Sequence, residues 1–322
     1  MKTYSKNSWI NKWNVGHSIF FSIVLILLYL FNFDYSPINL DLEIIICLFP
    51  ILLIGMSHGA LDNNKGERLL KNKYKSDWKK IFYISYISAA IIVIIFWLLF
   101  PQVTLILFLI VAAYHFGHED CNFLLEKKNY LNNFLFILKG SIAIFSPLYF
   151  SFEETINLFQ YLLVDENSNF ILTLNKLYYS GSIKTLLTIL TLSSLFFLIS
   201  SKSYRVLLII IESLGIIIVN YIFTPILAFT IYWCFLHSVR HALSLAYFLN
   251  KSNPIKGFKK YLIKALPLAL LTILIYLSAI IFMNQYLGLI SSSLKVIFIG
   301  AASLTFPHVL LEYLLEKNEK RA

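Results

Sequence analysis

Hydrophobic residues run along this chain in blocks, and short polar stretches separate one block from the next. A helix of about 20 apolar residues is long enough to cross the hydrocarbon core of a bilayer. The pattern therefore predicts an all-α, polytopic transmembrane bundle. Its ten predicted spans are 18–33, 41–61, 80–100, 102–121, 131–150, 183–200, 206–220, 225–250, 261–282 and 293–315.

Basic residues lie in alternate connections between these blocks, and the intervening connections carry almost none. Short cytoplasmic loops hold an excess of lysine and arginine, so this alternation predicts that both termini face the cytoplasm. The longest basic connection is 65–80, which contains seven lysines and arginines. Within 151–182, the apolar pieces 154–164 and 170–179 are too short to span, and we expect them to lie at the interface or to re-enter the membrane.

Composition agrees with a membrane-embedded chain. Of the 322 residues, 58% are hydrophobic and 14% are charged, and the mean hydropathy is +0.73; about 25% of a typical soluble domain is charged. No block of soluble character reaches domain size, so we expect one integral-membrane domain over 1–322. The net charge of +10 lies in short loops, which indicates the lipid bilayer rather than nucleic acid as its partner. We expect Cys47, Cys121 and Cys234 to be buried apolar side chains, because they lack metal or disulfide spacing.

One apolar block carries two histidines. His237 and His241 lie four residues apart, so their side chains share one face of a helix. Ionisable residues are rare inside membrane helices and mark functional sites, and two imidazoles on one face suggest half of a metal site. Arg240, between them, is expected to reach the interface or to pair with an acid. His17, at the mouth of the first span, is expected to be structural.

Three other histidines share a pattern: each lies near the predicted cytoplasmic end of its span and has a carboxylate four residues later. The pairs are His58 with Asp62, His115 with Glu119, and His308 with Glu312. Such a carboxylate could orient a metal-bound imidazole or bind the metal itself. Spacing leaves open whether His115, His118 or His308 joins the site.

Four motifs, taken together and in this order, resemble the Brp/Blh family of integral-membrane β-carotene 15,15′-dioxygenases. They are HGALD at 58–62, YHFG at 114–117, HSVRH at 237–241 and PHVLLE at 307–312. The resemblance implies four iron-binding histidines, namely His58, His115, His237 and His241. Other side chains could contact these ligands and hold their rings in place without binding the metal. The candidates are Asp62, His118, Glu119, His308 and Glu312.

The reaction implied by the resemblance is cleavage of β-carotene by O₂ at its central C15=C15′ bond, with both oxygen atoms entering two molecules of all-trans-retinal. Four neutral imidazoles would leave Fe²⁺ its full charge and open positions for O₂. A long apolar tunnel entered from the bilayer would then place the central bond beside the metal. The resemblance also implies a bacterial inner (cell) membrane location and transfer of retinal to a microbial rhodopsin.

Two other functions fit parts of the pattern. A membrane hydroxylase or desaturase could use a mixed histidine and carboxylate di-iron site, although such enzymes typically carry several HxxxH boxes and this chain has one. A transporter could relay protons or metal through buried histidines, although no symmetry of broken helices is visible. A haem carrier is disfavoured, because histidines four apart on one helix cannot be opposite axial ligands. The HExxH motif of zinc proteases is absent.

Overall fold

The computed structural model of the chain describes residues 9–31, 39–122, 130–200 and 206–319, apart from a few side chains within helices, of which His58 is one. All regular secondary structure in these ranges is helical. The all-α class predicted from the apolar blocks is therefore confirmed.

The α-helical segments follow one another in chain order, and some are joined end to end by short helical turns of another type. They are α1 (Trp9–Leu30), α2 (Leu40–Pro50), α3 (Asp62–Tyr74), α4 (Trp78–Leu99), α5 (Pro101–Asn122), α6 (Tyr130–Phe150), α7 (Phe152–Tyr161), α8 (Asn169–Tyr179), α9 (Ser182–Ser200), α10 (Val206–Ile222), α11 (Pro225–Thr230), α12 (Val239–Leu249), α13 (Pro254–Leu287) and α14 (Leu289–Glu319).

Seven helices in the described part of the chain are long and apolar enough to cross a membrane. They cover Trp9–Leu30, Asp62–Leu99, Pro101–Cys121, Asn132–Phe150, Pro225–Leu249, Pro254–Leu287 and Leu289–Asn318. Each overlaps one of the ten predicted spans. The other three, 41–61, 183–200 and 206–220, form shorter or interrupted helices, so their crossing of the membrane remains a prediction.

The predicted span 41–61 is not one continuous α-helix. Helix α2 ends at Pro50, and a π-helical turn (Ile51–Gly55) and a 3-10 turn (Met56–Gly59) follow before α3 begins at Asp62. Proline lacks the amide hydrogen that an α-helix needs at each interior position, which favours a change of hydrogen-bond pattern at this point. His58 and Asp62 therefore lie on different helical segments.

The eighth predicted span also changes its helical type. Between α11 and α12 the backbone forms a π-helix over Ile231–Ser238, which includes His237. Short π-helical stretches are rare and frequently occur at functional sites. His241 lies one turn further on, in ordinary α-helix.

Two sharp reversals set the order of the long helices. Helix α5 begins at Pro101, directly after α4 ends, and proline is well suited to the first position of a helix. Gly288 joins α13 to α14 with a φ of 77°, a conformation that glycine adopts without steric cost.

The apolar pieces of 151–182 lie in α7 and α8, of 10 and 11 residues, and their position relative to the membrane remains a prediction.

Apolar side chains cover the outside of the bundle, and charged groups lie inside it. Along α4, for example, Ile84, Ile91 and Leu98 are each at least half exposed. Buried charges such as Arg240 occupy the interior instead. This distribution is the reverse of that in a soluble protein and suits a protein surrounded by lipid. The three cysteines are buried and free, as predicted.

Helices α5 and α6 pack so closely that glycine is required at their contact. A Cβ atom added to Gly140 would lie 1.8 Å from the carbonyl oxygen of Ala113, and one added to Gly117 would lie 1.8 Å from that of Phe136. Small residues at membrane-helix contacts let two backbones approach in this way. Because the obstacle is backbone, it cannot move aside as a flexible side chain would.

We therefore expect Gly140→Ala to destabilise the protein by about 1–3 kcal/mol, the usual cost of overpacking. The measurement is the thermal unfolding midpoint of the detergent-purified variant. Gly16→Ala on α1 is the matched control, because nothing lies within 4 Å of its added Cβ. Equal midpoints for the two variants would show that α5 and α6 are less closely packed than described.

Candidate metal centre

Four buried histidines meet inside the bundle. The ring centroid of His115, on α5, lies 5.0 Å from that of His237 and 5.2 Å from that of His308, on α14. The ring of His241 lies 5.5 Å from that of His308. None of the four residues is more than 4% exposed. The fold thus brings His308, whose role spacing left open, next to His115 and His241.

Two of these imidazoles face each other through their Nε2 atoms. His115 Nε2 and His237 Nε2 are 3.3 Å apart. Two nitrogens bound to one ion at about 2.1 Å would lie about 3.0–3.4 Å apart for right-angled or tetrahedral coordination. The spacing of this pair therefore suits two ligands of the same ion.

A carboxylate from another helix lies within 3.6 Å of the Nδ1 atom of three of these histidines. The pairs are His237 Nδ1 with Asp120 Oδ1 at 3.6 Å, His241 Nδ1 with Glu119 Oε1 at 3.2 Å, and His308 Nδ1 with Asp62 Oδ2 at 2.7 Å. A carboxylate at this position favours the proton on Nδ1, which directs the Nε2 lone pair elsewhere. This arrangement orients metal-binding imidazoles in many proteins.

The carboxylates predicted to support their own helix's histidine mostly contact a different helix. Glu312 follows the expectation, with Oε1 3.6 Å from Nε2 of His308. Asp62 instead contacts His308, and Glu119 contacts His241. The four-residue spacing identifies which side chains share a face, but packing between helices determines the contact partner.

A second, fully buried ionic network supports His237. Arg240 donates to Asp120 Oδ1 at 3.2 Å and to Glu212 Oε1 at 2.5 Å, so of the two expected outcomes for this arginine, pairing with acids is the one observed. Asp120 Oδ2 also accepts from the Tyr232 hydroxyl at 2.9 Å and from Lys139 Nζ at 3.4 Å. Three partners therefore fix the carboxylate that faces His237.

Lys65 brings a positive charge to the other side of the cluster. Its Nζ donates to Glu312 Oε1 at 2.6 Å and lies 3.5 Å from Asp62 Oδ1 and from His241 Nε2. The Tyr86 hydroxyl donates to Asp62 Oδ2 at 2.8 Å. Asp62 and Glu312 are thus held between a lysine, a tyrosine and histidines.

Carboxylates outnumber cations in the described part of the cluster. With the histidines neutral, five acids stand against three bases, a formal charge of −2; the acids are Asp62, Glu119, Asp120, Glu212 and Glu312, and the bases are Lys65, Lys139 and Arg240. Uncompensated buried charge is costly, so a cation is expected to complete the set. Neutral imidazoles and a charge of −2 fit one divalent metal ion.

The remaining histidines lie apart from this centre or outside the described residues. His118 stacks on Tyr114 and has Nε2 3.5 Å from Glu316 Oε1. His17 Nε2 lies 2.7 Å from the carbonyl oxygen of Phe235, and its structural role stays a prediction. The side chain of His58 is outside the part of the chain that the structure describes, so its place as a ligand stays a prediction.

Several residues of the centre were missed by the sequence analysis. Lys139 and Glu212 each lie within an apolar block, and a charge in such a block is itself a signal of function. Asp120 and Lys65 gave no such signal, because polar neighbours near a predicted helix end make a carboxylate or an amine look solvated. Only the packing of α3 on α14, and of α5 on α6 and α12, shows that they lie inside the bundle.

Comparison with known proteins shows the family of this chain. The family model described as beta-carotene 15,15'-dioxygenase matches residues 49–316. The beta-carotene 15,15'-dioxygenase of uncultured marine bacterium 66A03 is 26% identical over 274 residues, which cover 84% of this chain and 94% of that protein. No solved structure gives a match. Since the family model covers most of the chain and all the buried histidines, this protein belongs to the beta-carotene 15,15'-dioxygenase family.

Proposed function

We propose that this protein is an iron-dependent dioxygenase that cleaves β-carotene at C15=C15′ and forms two molecules of all-trans-retinal. One observation carries the proposal within this family. Two imidazoles face each other at 3.3 Å in a buried cluster with a formal charge of −2. A ferrous ion suits such a set of imidazoles and carboxylates.

The proposed ligands are His115, His237 and His241, with His58 added from the resemblance. His308 is an additional candidate, since Asp62 holds its Nδ1 atom and its ring lies 5.2 Å from that of His115. When bound, the ferrous ion would supply the redox chemistry that lets O₂ react with a closed-shell double bond.

The reaction itself balances without a further reductant. One carbon–carbon double bond breaks, and each of its two carbons receives one oxygen atom of O₂ as an aldehyde. No proton has to be added or removed, so we assign no acid or base. The side chains of the cluster then have two tasks, namely to hold the rings in place and to keep water away from the reacting atoms.

Aromatic side chains beside the cluster support an apolar substrate. The Phe116 ring lies 4.8 Å from that of His237 and 5.3 Å from that of Tyr232, in both cases edge to face. An apolar wall of this kind suits the flat, rigid polyene of a carotenoid. We propose that β-carotene enters from the bilayer through an apolar tunnel, which places its central bond beside the ion.

The wider setting follows from the same proposal. We place the protein in the bacterial inner (cell) membrane with ten spans and both termini cytoplasmic. On that topology the centre lies in the cytoplasmic half of the bundle. Retinal released there would be passed to a microbial rhodopsin.

One observation favours a second candidate, a di-iron hydroxylase or desaturase. Glu312 belongs to two groups of potential ligands, one with His115 and His308 and the other with Glu119 and His241. A shared carboxylate is typical of sites that hold two metal ions. The two functions differ in metal count and in product, since a hydroxylase would leave the carbon skeleton of the carotenoid intact.

Expression in a bacterial strain that accumulates β-carotene tests the proposal. We expect β-carotene to fall and two equivalents of all-trans-retinal to appear, as measured by chromatography of extracted pigments. A strain carrying the empty vector is the control. Hydroxylated carotenoid of full length would favour the di-iron candidate, and unchanged pigment with iron-loaded protein would contradict both candidates for this substrate.

A further inference from the structure

Lys65 places an ammonium group where potential metal ligands converge. Its Nζ lies 2.6 Å from Glu312 Oε1 and 3.5 Å from His241 Nε2. The Lys65 side chain is only 12% exposed. Removing an ammonium from water costs free energy unless charged or hydrogen-bonding partners compensate for the lost hydration. We therefore expect the charge of this lysine to have a role in the centre.

Glu312 connects the two groups of potential ligands around this lysine. In the first group, His115, His308 and Glu312 offer one ligand atom each within 4.8 Å of one another; in the second, Glu119, His241 and Glu312 do the same. Two ions sharing one carboxylate would be possible in such a set. The Lys65 ammonium lies against two members of the second group.

The charges indicate how many ions the set can take. With Lys65 present, the described part of the cluster carries a formal charge of −2, which one divalent ion neutralises. Without the lysine the charge would be −3, and Glu312 would lose its closest cationic partner. A second divalent ion would then be attracted to the carboxylates rather than repelled by the ammonium.

We propose that Lys65 is a positioning residue that takes the place of a second metal ion and so restricts the centre to one. The inference rests on the proposed function, since it requires that the cluster bind a metal. It also accounts for the shared carboxylate, because Glu312 would pair with the Lys65 ammonium in place of a second metal ion, while His241 would remain a ligand of the one ion.

The role of Lys65 would separate two kinds of oxygen chemistry on one set of side chains. Central cleavage places both atoms of O₂ in the products and needs no external electrons. Hydroxylation places one atom in the product and needs two electrons to reduce the other to water. Excluding a second ion would favour the first reaction over the second.

Metal stoichiometry tests the inference directly. Detergent-purified protein is stripped with chelator, loaded with graded Mn²⁺, desalted, and analysed for manganese per chain by mass spectrometry. We expect one ion per chain for the wild type and two for Lys65→Met. Lys65→Arg, which retains the positive charge, should stay at one.

Lys71→Met is the matched control, because Lys71 lies on the same helix and pairs with Glu67 at 2.8 Å on the exposed surface. It should also bind one ion. Two ions per chain in both methionine variants would reflect the loss of a lysine from α3 rather than the role assigned to Lys65.

The outcomes separate the inference from the proposed function. A wild type that binds no Mn²⁺ would contradict the proposed metal centre itself. Two ions in the wild type, or one in a folded Lys65→Met protein, would overturn the inference alone. If Lys65→Met does not fold, Lys65→Gln is measured, whose amide can still donate to Glu312. Failure of both to fold in excess Mn²⁺ would also count against the inference, since a second ion should restore the missing charge.

Discussion

Replacing His237 with alanine is expected to abolish both metal binding and carotenoid cleavage. His237 is fully buried, its Nε2 lies 3.3 Å from His115 Nε2, and its Nδ1 faces Asp120. Removing the imidazole takes away one ligand of the pair and leaves the Asp120 network in place. We expect bound iron to fall below detection in the purified variant and retinal to be absent from the pigment extract.

His118→Ala is the matched control for this substitution. His118 lies on α5 as well, but its Nε2 faces Glu316 and its ring stacks on Tyr114. It should therefore retain iron and form retinal. Retained iron with full retinal production in His237→Ala would falsify the assignment of His237, and loss of iron in both variants would extend the centre to His118.

Asp120→Asn is expected to weaken metal binding and to destabilise the whole bundle. The substitution preserves the size of the side chain but removes a charge that lies between Arg240, Lys139 and His237. Loss of a carboxylate partner of a metal-bound imidazole typically weakens metal binding by about 10–100-fold. Removing one member of a buried ion pair costs about 3–5 kcal/mol, because the other charge remains buried.

Two measurements separate these effects. Titration of the chelator-stripped variant with Mn²⁺ gives the change in affinity, and thermal unfolding in detergent gives the change in stability. Glu67→Gln serves as control, since Glu67 pairs with Lys71 on the surface, and neither quantity should change. Wild-type affinity in a destabilised Asp120→Asn protein would mean that Asp120 supports the fold but does not orient His237.

Much of the architecture could be predicted from the sequence, because few kinds of structure are stable inside a lipid bilayer. A bilayer requires long apolar helices with internally satisfied backbones, and seven of the ten predicted spans correspond to such helices. The three others are short or interrupted, and the hydropathy of a block does not reveal its hydrogen-bond pattern. Neither π-helical turn was foreseen, although Pro50 was a local reason to expect a break before 51–55.

The centre could be predicted only in part. His237 and His241 were found because two imidazoles in an apolar helix need an explanation. His308 could not be distinguished from His118 by spacing, and the difference lies in packing, since α14 turns His308 toward Asp62 while α5 turns His118 toward Glu316. Contacts between residues more than a hundred positions apart leave no trace in the local pattern of one sequence.

The π-helix that carries His237 makes the number of residues in this stretch as important as their identity. A π-helical segment holds an extra residue compared with the α-helix that could replace it. Deleting one residue from Ile231–Ser238 would let the α-helical ladder run through and would leave the flanking helices close to their present faces, but it would remove the wider turn in which His237 lies. The segment should thus accept changes of side chain far more readily than changes of length. The centre depends on the number of residues in this segment as well as on which residues they are.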